Sequence, residues 1–362
     1  MTEKKIGDTK LKPWTAYHTL IKKTIDRCIP QTAVLELTYR CNFRCIQCYV
    51  LLGDKRDKEL TVEELDSVME QLASMGTLYL ILTGGEIFVR KDVWEIMDLT
   101  RKHRFAVHLF TNGYALTEEI VDRLDGYGNL MGLSISMYGH DSETYEKVTQ
   151  VRGSYERVKA GIQRLVDRDL NIRIKTPIIE TNYCSLDMIR EYCDDLDVTY
   201  RPTPVITPRD DGSTEPTRYR IDDETLKDYL RGQDLSYLDN RNPKKDVPVC
   251  TSGRNQLTIA PDGELYPCIQ IRESAGNVRE KPLKEMWESG AMDFIRNLTI
   301  NEIPKCAKCK HLKYCNPCFG LGWTEFGTVK KPSKETCRIT KIVREIYLDR
   351  LEKTGTSKLV IK

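Results

Sequence analysis

The chain has 362 residues, enough for one large domain and a smaller one. Its 56 basic and 54 acidic residues leave a net charge of +2, which gives no support for a nucleic-acid or membrane-surface partner. Residues 1–5 are charged and precede no apolar run, so the sequence predicts no signal peptide. The longest apolar runs, such as 78–82, are too short to span a bilayer. We therefore expect a cytoplasmic protein, in which 13 cysteines favour metal binding or catalysis over disulfides.

The first half of the sequence alternates strands with amphipathic helices. Strands are predicted over residues 33–39, 77–83, 106–111, 132–138, 171–179 and 198–206. The clearest helix has a capping box at Thr61 and Glu64 and ends at Gly76. Further helices are predicted over 154–169 and 185–196. This alternation predicts an α/β fold, a partial (β/α)6 barrel with its active site at the C-terminal ends of the strands.

The barrel is expected to be one of several units. Residues 202–216 are rich in Pro, Asp and Arg with little periodicity, and from Cys250 the pattern changes to short strands and dense cysteines. The expected division is an N-terminal extension over 1–32, the barrel over 33–207, a linking region over 208–249, a small cysteine-rich domain over 250–340 and a C-terminal tail over 341–362.

Three cysteines follow the first predicted strand within eight residues: Cys41, Cys45 and Cys48. Soft thiolates select zinc, copper(I) or iron–sulfur clusters. A [4Fe–4S] cluster usually takes four cysteines, so three ligands would leave one iron open to a substrate or cofactor. The alternative is a zinc site completed by a distant residue, and the spacing alone leaves both open.

Two further motifs end predicted strands. Gly84, Gly85 and Glu86 follow the second strand, where glycines let the backbone approach a ligand and a carboxylate can accept from a cationic amine. Taken alone, two glycines at a strand end are more often a turn. Thr111 and Asn112 end the third strand before a glycine, which is equally typical of a turn and of a ligand contact.

Seven more cysteines fill the C-terminal region: Cys250, Cys268, Cys306, Cys309, Cys315, Cys318 and Cys337. The first two flank a predicted hairpin with Asp262 and Gly263 at its turn, which would bring them near each other. The closely spaced four could alone form a structural zinc site. The cysteines outside these groups are expected to be small buried hydrophobes: Cys28, Cys184 and Cys193.

The CxxxCxxC motif at the end of a first barrel strand resembles the signature of the radical S-adenosylmethionine (SAM) superfamily. The resemblance implies that Cys41, Cys45 and Cys48 hold a [4Fe–4S] cluster whose open iron chelates the amino and carboxylate groups of the methionine part of SAM. An electron from the cluster would then break a C–S bond and give a 5′-deoxyadenosyl radical. It also implies that Tyr49 lies near the adenine and that the motif ending in Glu86 binds the methionine amino group.

The same resemblance points to more distant cofactor contacts. Thr111 and Asn112 resemble a recurrent cofactor-side segment. Ser134 and Ser136 share one face of the fourth strand, where the family often has a serine near the ribose or carboxylate; otherwise both pack in the barrel interior. Many relatives carry a nearby arginine that this sequence lacks, so Lys175 on the fifth strand is the predicted substitute.

The order of the C-terminal cysteines resembles the SPASM extension, which carries two auxiliary [4Fe–4S] clusters. The resemblance implies one cluster on Cys306, Cys309, Cys315 and Cys337, and another on Cys250, Cys268 and Cys318. With the first group, the expected cofactors are three [4Fe–4S] clusters and SAM. Seven cysteines for two clusters would leave one auxiliary iron open. The sequence departs from the family in having two residues instead of three between the last clustered pair.

Relatives with this extension mainly modify ribosomally made peptides, by thioether or carbon–carbon cross-links or by oxidative decarboxylation. The resemblance therefore predicts a peptide-modifying oxidoreductase supplied by an electron donor such as flavodoxin or ferredoxin. Too few residues precede Cys41 for a fused peptide-recognition domain, so a separate recognition protein is expected. A tetrapyrrole-modifying enzyme is the alternative within the family, and a zinc-stabilised, non-catalytic binding protein is the alternative from another class.

Overall fold

A computed structural model describes residues 13–53 and 58–354. Its strands are β1 Thr32–Glu36, β2 Tyr79–Thr83, β3 Ala106–Thr111, β4 Leu130–Ser136, β5 Ile172–Pro177, β6 Thr199–Thr203, β7 Gln256–Ile259 and β8 Leu265–Tyr266. Its helices are α1 Pro13–Asp26, α2 Val62–Ser74, α3 Val93–Lys102, α4 Glu118–Asp125, α5 Ser142–Thr149, α6 Ser154–Asp167, α7 Leu186–Asp195, α8 Asp223–Arg231, α9 Leu283–Glu288, α10 Asp293–Arg296, α11 Pro304–Ala307, α12 Phe319–Phe326 and α13 Lys334–Thr354.

The first six strands form the predicted partial (β/α)6 barrel. They pair in parallel, in the order β6-β5-β4-β3-β2-β1. The third strand keeps its predicted bounds, while the other five begin or end a few residues away. The first ends early, at Glu36, because the chain turns there into the loop that carries the first cysteine group.

Helix α2, which follows the first strand, has the capping box that the sequence predicts. The Thr61 hydroxyl accepts from the backbone N–H of Glu64, whose carboxylate accepts in return from the N–H of Thr61. Its apolar stripe is buried against the sheet: Leu65, Val68, Met69 and Leu72. The predicted helix over 185–196 is also present, as α7, but it begins after a short 3-10 turn.

The cysteine-rich region continues the sheet of the barrel. β7 pairs in parallel with β1, and β8 pairs antiparallel with β7. Gly263 lies between them with φ +88°, as the predicted Asp-Gly hairpin turn requires. The hairpin was predicted, but its pairing with β1 was not, because no local pattern reports which edge a strand joins. This pairing places the first C-terminal cysteines beside the start of the barrel.

A second apolar core joins the linking region to the C-terminus. α8 lies inside the expected linking region and packs against α13. Leu226 and Leu230 of α8 are buried with Ile346 and Tyr347 of α13. The expected boundary at residue 340 therefore falls within a helix, and the division of the chain remains a prediction. Parts of the expected extension and tail, residues 1–12 and 355–362, lie outside the described residues.

No helix in the described part of the chain is both long and apolar enough to cross a bilayer.

Candidate active site

The first cysteine group lies in the loop between β1 and α2, at the C-terminal end of β1 as predicted. The backbone N–H of Arg44 donates to Thr149 (3.0 Å), and that of Ile46 donates to Val148 (3.0 Å). Phe43 is buried and meets the ring of Tyr114 edge-on at 5.5 Å. The loop is therefore fixed against the end of α5 and the segment after β3.

The three thiols of this loop interact with one another. Burial raises the pKa of the Cys41 thiol to about 11, and the nearby Cys48 contributes to that rise. Burial also raises the pKa values of Cys45 and Cys48, and Cys45 is affected by both of the other thiols. Neutral thiols of this kind become thiolates when a metal replaces their protons. The donor set thus fits an iron–sulfur cluster.

The two predicted glycines contact the cysteine loop. A Cβ on Gly84 would lie 2.5 Å from the carbonyl oxygen of Thr38, and one on Gly85 would lie 2.2 Å from that of Arg40. The N–H of Gly85 donates to the Thr38 carbonyl at 2.7 Å. The glycines therefore let the end of β2 hold the loop backbone at close range. Contact with a ligand, the predicted role, remains an expectation.

Glu86 is a buried carboxylate at the end of β2. It accepts hydrogen bonds from the hydroxyl of Thr111 (2.8 Å) and from the N–H groups of Asn112 (2.6 Å) and Phe88 (3.1 Å). Burial raises the pKa of Glu86, and these donors oppose the rise. Among the described residues it has no cationic partner. A buried carboxylate without a cation is suited to receive an ammonium group.

The segment after β3 joins Glu86 to the cysteine loop. The side-chain amide of Asn112 donates to Asn42 at 2.7 Å and lies 3.8 Å from the sulfur of Cys41. Its oxygen accepts from the N–H of Tyr114 at 3.0 Å. The turn reading of this segment is confirmed, and the segment also touches the first cysteine group. Cofactor contacts of Thr111 and Asn112 remain a prediction.

The inner face of the barrel carries the other predicted residues. Ser134 is buried and lies 2.9 Å from a ring nitrogen of His108, while Ser136 lies two residues closer to the end of β4. The Lys175 ammonium lies 4.5 Å from the ring centroid of Phe110. His108 was missed from the sequence, because a lone histidine within a strand gives no sign of which face it occupies.

The C-terminal cysteines lie close to one another in two neighbouring groups, and their division between two clusters remains a prediction. Cys306, Cys309, Cys315 and Cys337 interact electrostatically and line one cavity of about 180 Å³. Cys268 interacts with Cys250 and Cys318, and Cys318 also reaches the edge of that cavity. Within the described chain, no three His, Cys, Asp or Glu side chains are arranged to hold a single metal ion.

The three remaining cysteines follow the sequence expectation only in part. Cys193 is buried in α7, as expected for a small hydrophobe, and Cys28 is half-buried. Cys184 is exposed, so the expectation of burial was wrong there. It lies in the 3-10 turn Glu180–Ser185, just before α7.

The expected linking region contacts the first site, which sequence reasoning missed. The N–H of Asp210 donates to the carbonyl of Tyr49 at 3.2 Å, and Arg209 donates to the carbonyl of Cys48 at 3.4 Å. Arg272, from the cysteine-rich region, binds Glu36 of β1 at 2.6 and 2.9 Å. It also binds Asp210 at 3.1 Å. These long-range contacts have no local sequence signal.

Two family matches agree with this geometry. Residues 35–192 match the radical SAM superfamily, and residues 250–310 match SPASM, an iron–sulfur cluster-binding domain. The chain belongs to the radical SAM superfamily. It is a radical SAM enzyme with a C-terminal SPASM domain, so the alternative of a zinc-stabilised, non-catalytic binding protein is wrong.

The names of relatives of this radical SAM enzyme indicate different kinds of substrate. The chain is 28% identical over 328 residues to the AdoMet-dependent heme synthase of Methanosarcina barkeri, covering 82% of this chain and 93% of that protein. It is 28% identical over 314 residues to the PqqA peptide cyclase of Rhizobium meliloti, covering 80% and 82%. The crystal structure of Streptococcus suis SuiB bound to precursor peptide SuiA has a TM-score of 0.67 at 16% identity, covering 93% of this chain and 84% of that one; this likeness concerns the fold alone.

Proposed function

We propose that this enzyme cleaves SAM reductively and uses the resulting radical to modify a ribosomally made peptide. Cys41, Cys45 and Cys48 would hold the cluster, and Glu86 would accept hydrogen bonds from the amino group of SAM. The three thiols lie close to one another and to Glu86, a buried carboxylate that has no cationic partner among the described residues, which supports this placement. When bound, the cluster and SAM supply an electron transfer that breaks a C–S bond and yields a 5′-deoxyadenosyl radical.

A cavity between the two cysteine regions carries the peptide proposal. It has a volume of about 350 Å³ and lies between the loop of Asp210 and the helix that contains Trp323. Asp210 is bonded to Tyr49 beside the first group, while Gln270 on another wall lies 3.5 Å from the sulfur of Cys318. A substrate in this cavity would lie between the first group and an auxiliary group.

The size and lining of the cavity favour a peptide over a macrocycle. Small-molecule sites typically measure ~300–1,000 Å³, and this one lies near the lower limit. One or two amino-acid side chains fit such a volume better than a ring of four pyrroles. The lining mixes carboxylate, amide and aromatic groups, which can pair with the backbone and side chains of a peptide.

The auxiliary region would hold two further clusters, giving three in all. Two fully ligated cubes need eight cysteines, and this region supplies seven. We propose that the group of Cys250, Cys268 and Cys318 leaves one iron open to a substrate thiolate or amide. Gln270 lines the substrate cavity and also contacts Cys318, so the cavity borders this group, which supports the proposal. Four protein ligands on each auxiliary cluster, seen in a structure of the loaded enzyme, would contradict it.

Mass spectrometry of enzyme reactions tests the peptide proposal. Reconstituted enzyme is incubated anaerobically with SAM, a reductant and each short peptide encoded beside its gene. We expect one peptide to lose two hydrogens, as in a cross-link, or two hydrogens with carbon dioxide. The Cys41→Ala variant should leave it unchanged. We expect flavodoxin or ferredoxin to replace the chemical reductant, and a separate recognition protein to raise the rate.

A tetrapyrrole substrate is the second candidate. The chain spans 93% of the length of the heme synthase relative, so similarity to it extends through both domains. The same assay with an iron coproporphyrin in place of the peptides separates the candidates. Turnover of the porphyrin, with no mass change in any peptide, would overturn the peptide proposal.

A further inference from the structure

Three cations share the inner face of the last two barrel strands. Lys175 of β5 and Arg201 of β6 are directly opposite in the parallel register, and Arg173 precedes Lys175 by two residues. Alternation along a strand therefore gives all three the same face. Lys175 lies over Phe110 of β3, which identifies this face as the barrel interior. We call Arg173, Lys175 and Arg201 the cationic wall.

The cationic wall has no counter-ion among the described residues. None of its members takes part in an ion pair there. Burial lowers the pKa of Lys175, and the positive charge of the neighbouring Arg173 lowers it further. Burial, Arg173 and Lys175 also lower the pKa of His108, to about 4, so this histidine adds no charge at neutral pH. Like charges held together in this way favour binding of an anion.

Two carboxylates near the first site share one cation, and a third, Glu86, is the proposed acceptor for the amino group of SAM. Glu36 of β1 and Asp210 both bind Arg272 of the cysteine-rich region. Neither is therefore free to compensate the cationic wall. Carboxylates beside β1 thus already share a guanidinium, whereas the cationic wall on β5 and β6 carries cations alone among the described residues.

We propose that Arg173 and Arg201 bind a carboxylate of the substrate inside the barrel, with Lys175 beside them. This inference rests on the proposed function and narrows the substrate to one with a free carboxylate. Arginine presents paired N–H donors that match a carboxylate in a bidentate geometry. A ribosomally made peptide offers such a group at its C-terminus or on an acidic side chain.

The wall carries more charge than the cofactor requires. The carboxylate of SAM is a single negative charge, for which Lys175 is the predicted partner. Arg173 and Arg201 then remain for a second anion. A carboxylate held there would fix the orientation of the substrate next to the place where SAM is expected, so that one part of the peptide faces the radical.

Binding of small carboxylate probes to the SAM-bound, reconstituted enzyme tests this site. Each probe is an acid that is compared with a neutral form lacking the free carboxylate: N-acetyltyrosine with its amide, and iron coproporphyrin III with its methyl ester. Calorimetry or ligand-observed NMR measures the affinity. We expect the acid of the correct substrate class to bind more tightly than its neutral form. That acid is N-acetyltyrosine for a peptide substrate and iron coproporphyrin III for a porphyrin substrate. Arg173→Gln and Arg201→Gln should each weaken binding of the acid by about tenfold.

Arg190→Gln is the matched control. Arg190 lies on α7 near the ring of Tyr200, which occupies the outer face of β6, so this change should not alter probe binding. Circular dichroism and iron content verify that each variant is folded and loaded. Because Arg173 and Arg201 are both exposed, their replacement should not prevent folding.

The outcomes separate this site from the proposed function. If N-acetyltyrosine binds and both variants weaken it, both proposals stand. If only the porphyrin acid depends on the two arginines, the carboxylate site stands and the peptide substrate is wrong. The site is overturned if neither acid binds, if acids and neutral forms bind equally, or if the variants weaken SAM as much as the probe.

Discussion

The cysteines of the barrel and those of the C-terminal region come together in different ways. Cys41, Cys45 and Cys48 belong to one short loop, and backbone hydrogen bonds from β2 and α5 hold that loop at the end of β1. The C-terminal groups combine distant segments: Cys250 lies near Cys318, and Cys306 lies near Cys337. The first site depends on local geometry, whereas the others depend on the packing of the whole region.

This difference shows where each region is vulnerable. Closing a long loop costs more chain entropy than forming a short one, so the C-terminal groups need other contacts to hold their segments together. The β1–β7 pairing and the ion pairs of Arg272 supply such contacts. Changes in the first loop should abolish SAM cleavage. Changes at Arg272 should weaken the packing of the cysteine-rich region against the barrel.

The largest expected effect is at the first loop. Replacing Cys41, Cys45 and Cys48 together by alanine should abolish reductive formation of 5′-deoxyadenosine, because SAM would no longer be chelated to a reducible iron. Anaerobic assays with chromatographic detection measure this product. Cys184→Ala, which removes an exposed cysteine outside the groups, should keep the parent rate. Cleavage at the parent rate in the triple variant would mean that the cofactor lies elsewhere.

A substitution at Arg272 tests whether its ion pairs hold the cysteine-rich region against the barrel. Arg272→Met leaves Glu36 buried without its partner, and breaking a buried pair in this way costs ~3–5 kcal/mol of unfolding free energy. Urea unfolding followed by tryptophan fluorescence measures the loss. Arg168→Met removes a surface cation with two carboxylate partners and should have no measurable effect. Equal stability of the Arg272 variant and the parent would show that this contact does not join the regions.

The loss in the Arg272 variant should depend on pH. Burial already raises the pKa of Glu36, and Arg272 opposes that rise. Without Arg272 the folded-state pKa rises further above the unfolded value, so the folded protein gains stability as falling pH protonates the carboxyl group. The deficit relative to the parent should therefore be largest at neutral pH and shrink towards pH 5. A deficit that stays constant or grows on acidification would contradict this explanation.

The smallest expected effect is at Glu86. Glu86→Gln replaces a charged acceptor by a neutral one, and SAM should bind about tenfold more weakly while iron content stays unchanged. Calorimetry on the reconstituted protein measures the affinity. Glu64→Gln changes a surface glutamate of α2 and should leave SAM affinity as it is. A loss of iron in the Glu86 variant would instead place this residue among the determinants of the cluster.

The sequence predicted the parts of the molecule that local patterns encode. The alternation of strands and helices predicted the barrel, Thr61 and Glu64 predicted the cap of α2, and Asp262-Gly263 predicted the hairpin. The cysteine loop was recognised by its spacing, while the division of the C-terminal cysteines between two clusters stays a prediction that the resemblance implies. These features depend on residues close in sequence or on an ordered motif.

The remaining features arise from contacts between distant segments. The pairing of β7 with β1, the bond from Asp210 to Tyr49 and the ion pairs of Arg272 could not be predicted, because no periodicity or spacing links their partners. The cationic wall required the register of β5 and β6, which places Lys175 beside Arg201. Long-range pairing thus completes a site that short-range patterns only begin.

Iron analysis with Mössbauer spectroscopy tests the central claim most directly, that all three cysteine groups hold clusters. The anaerobically reconstituted enzyme should bind about 12 irons in [4Fe–4S] form. Replacing Cys250, Cys268 and Cys318 by alanine should lower this to about eight, and replacing Cys41, Cys45 and Cys48 should do the same while also abolishing SAM cleavage. A parent enzyme that saturates near four irons and takes up two zinc ions would contradict the account.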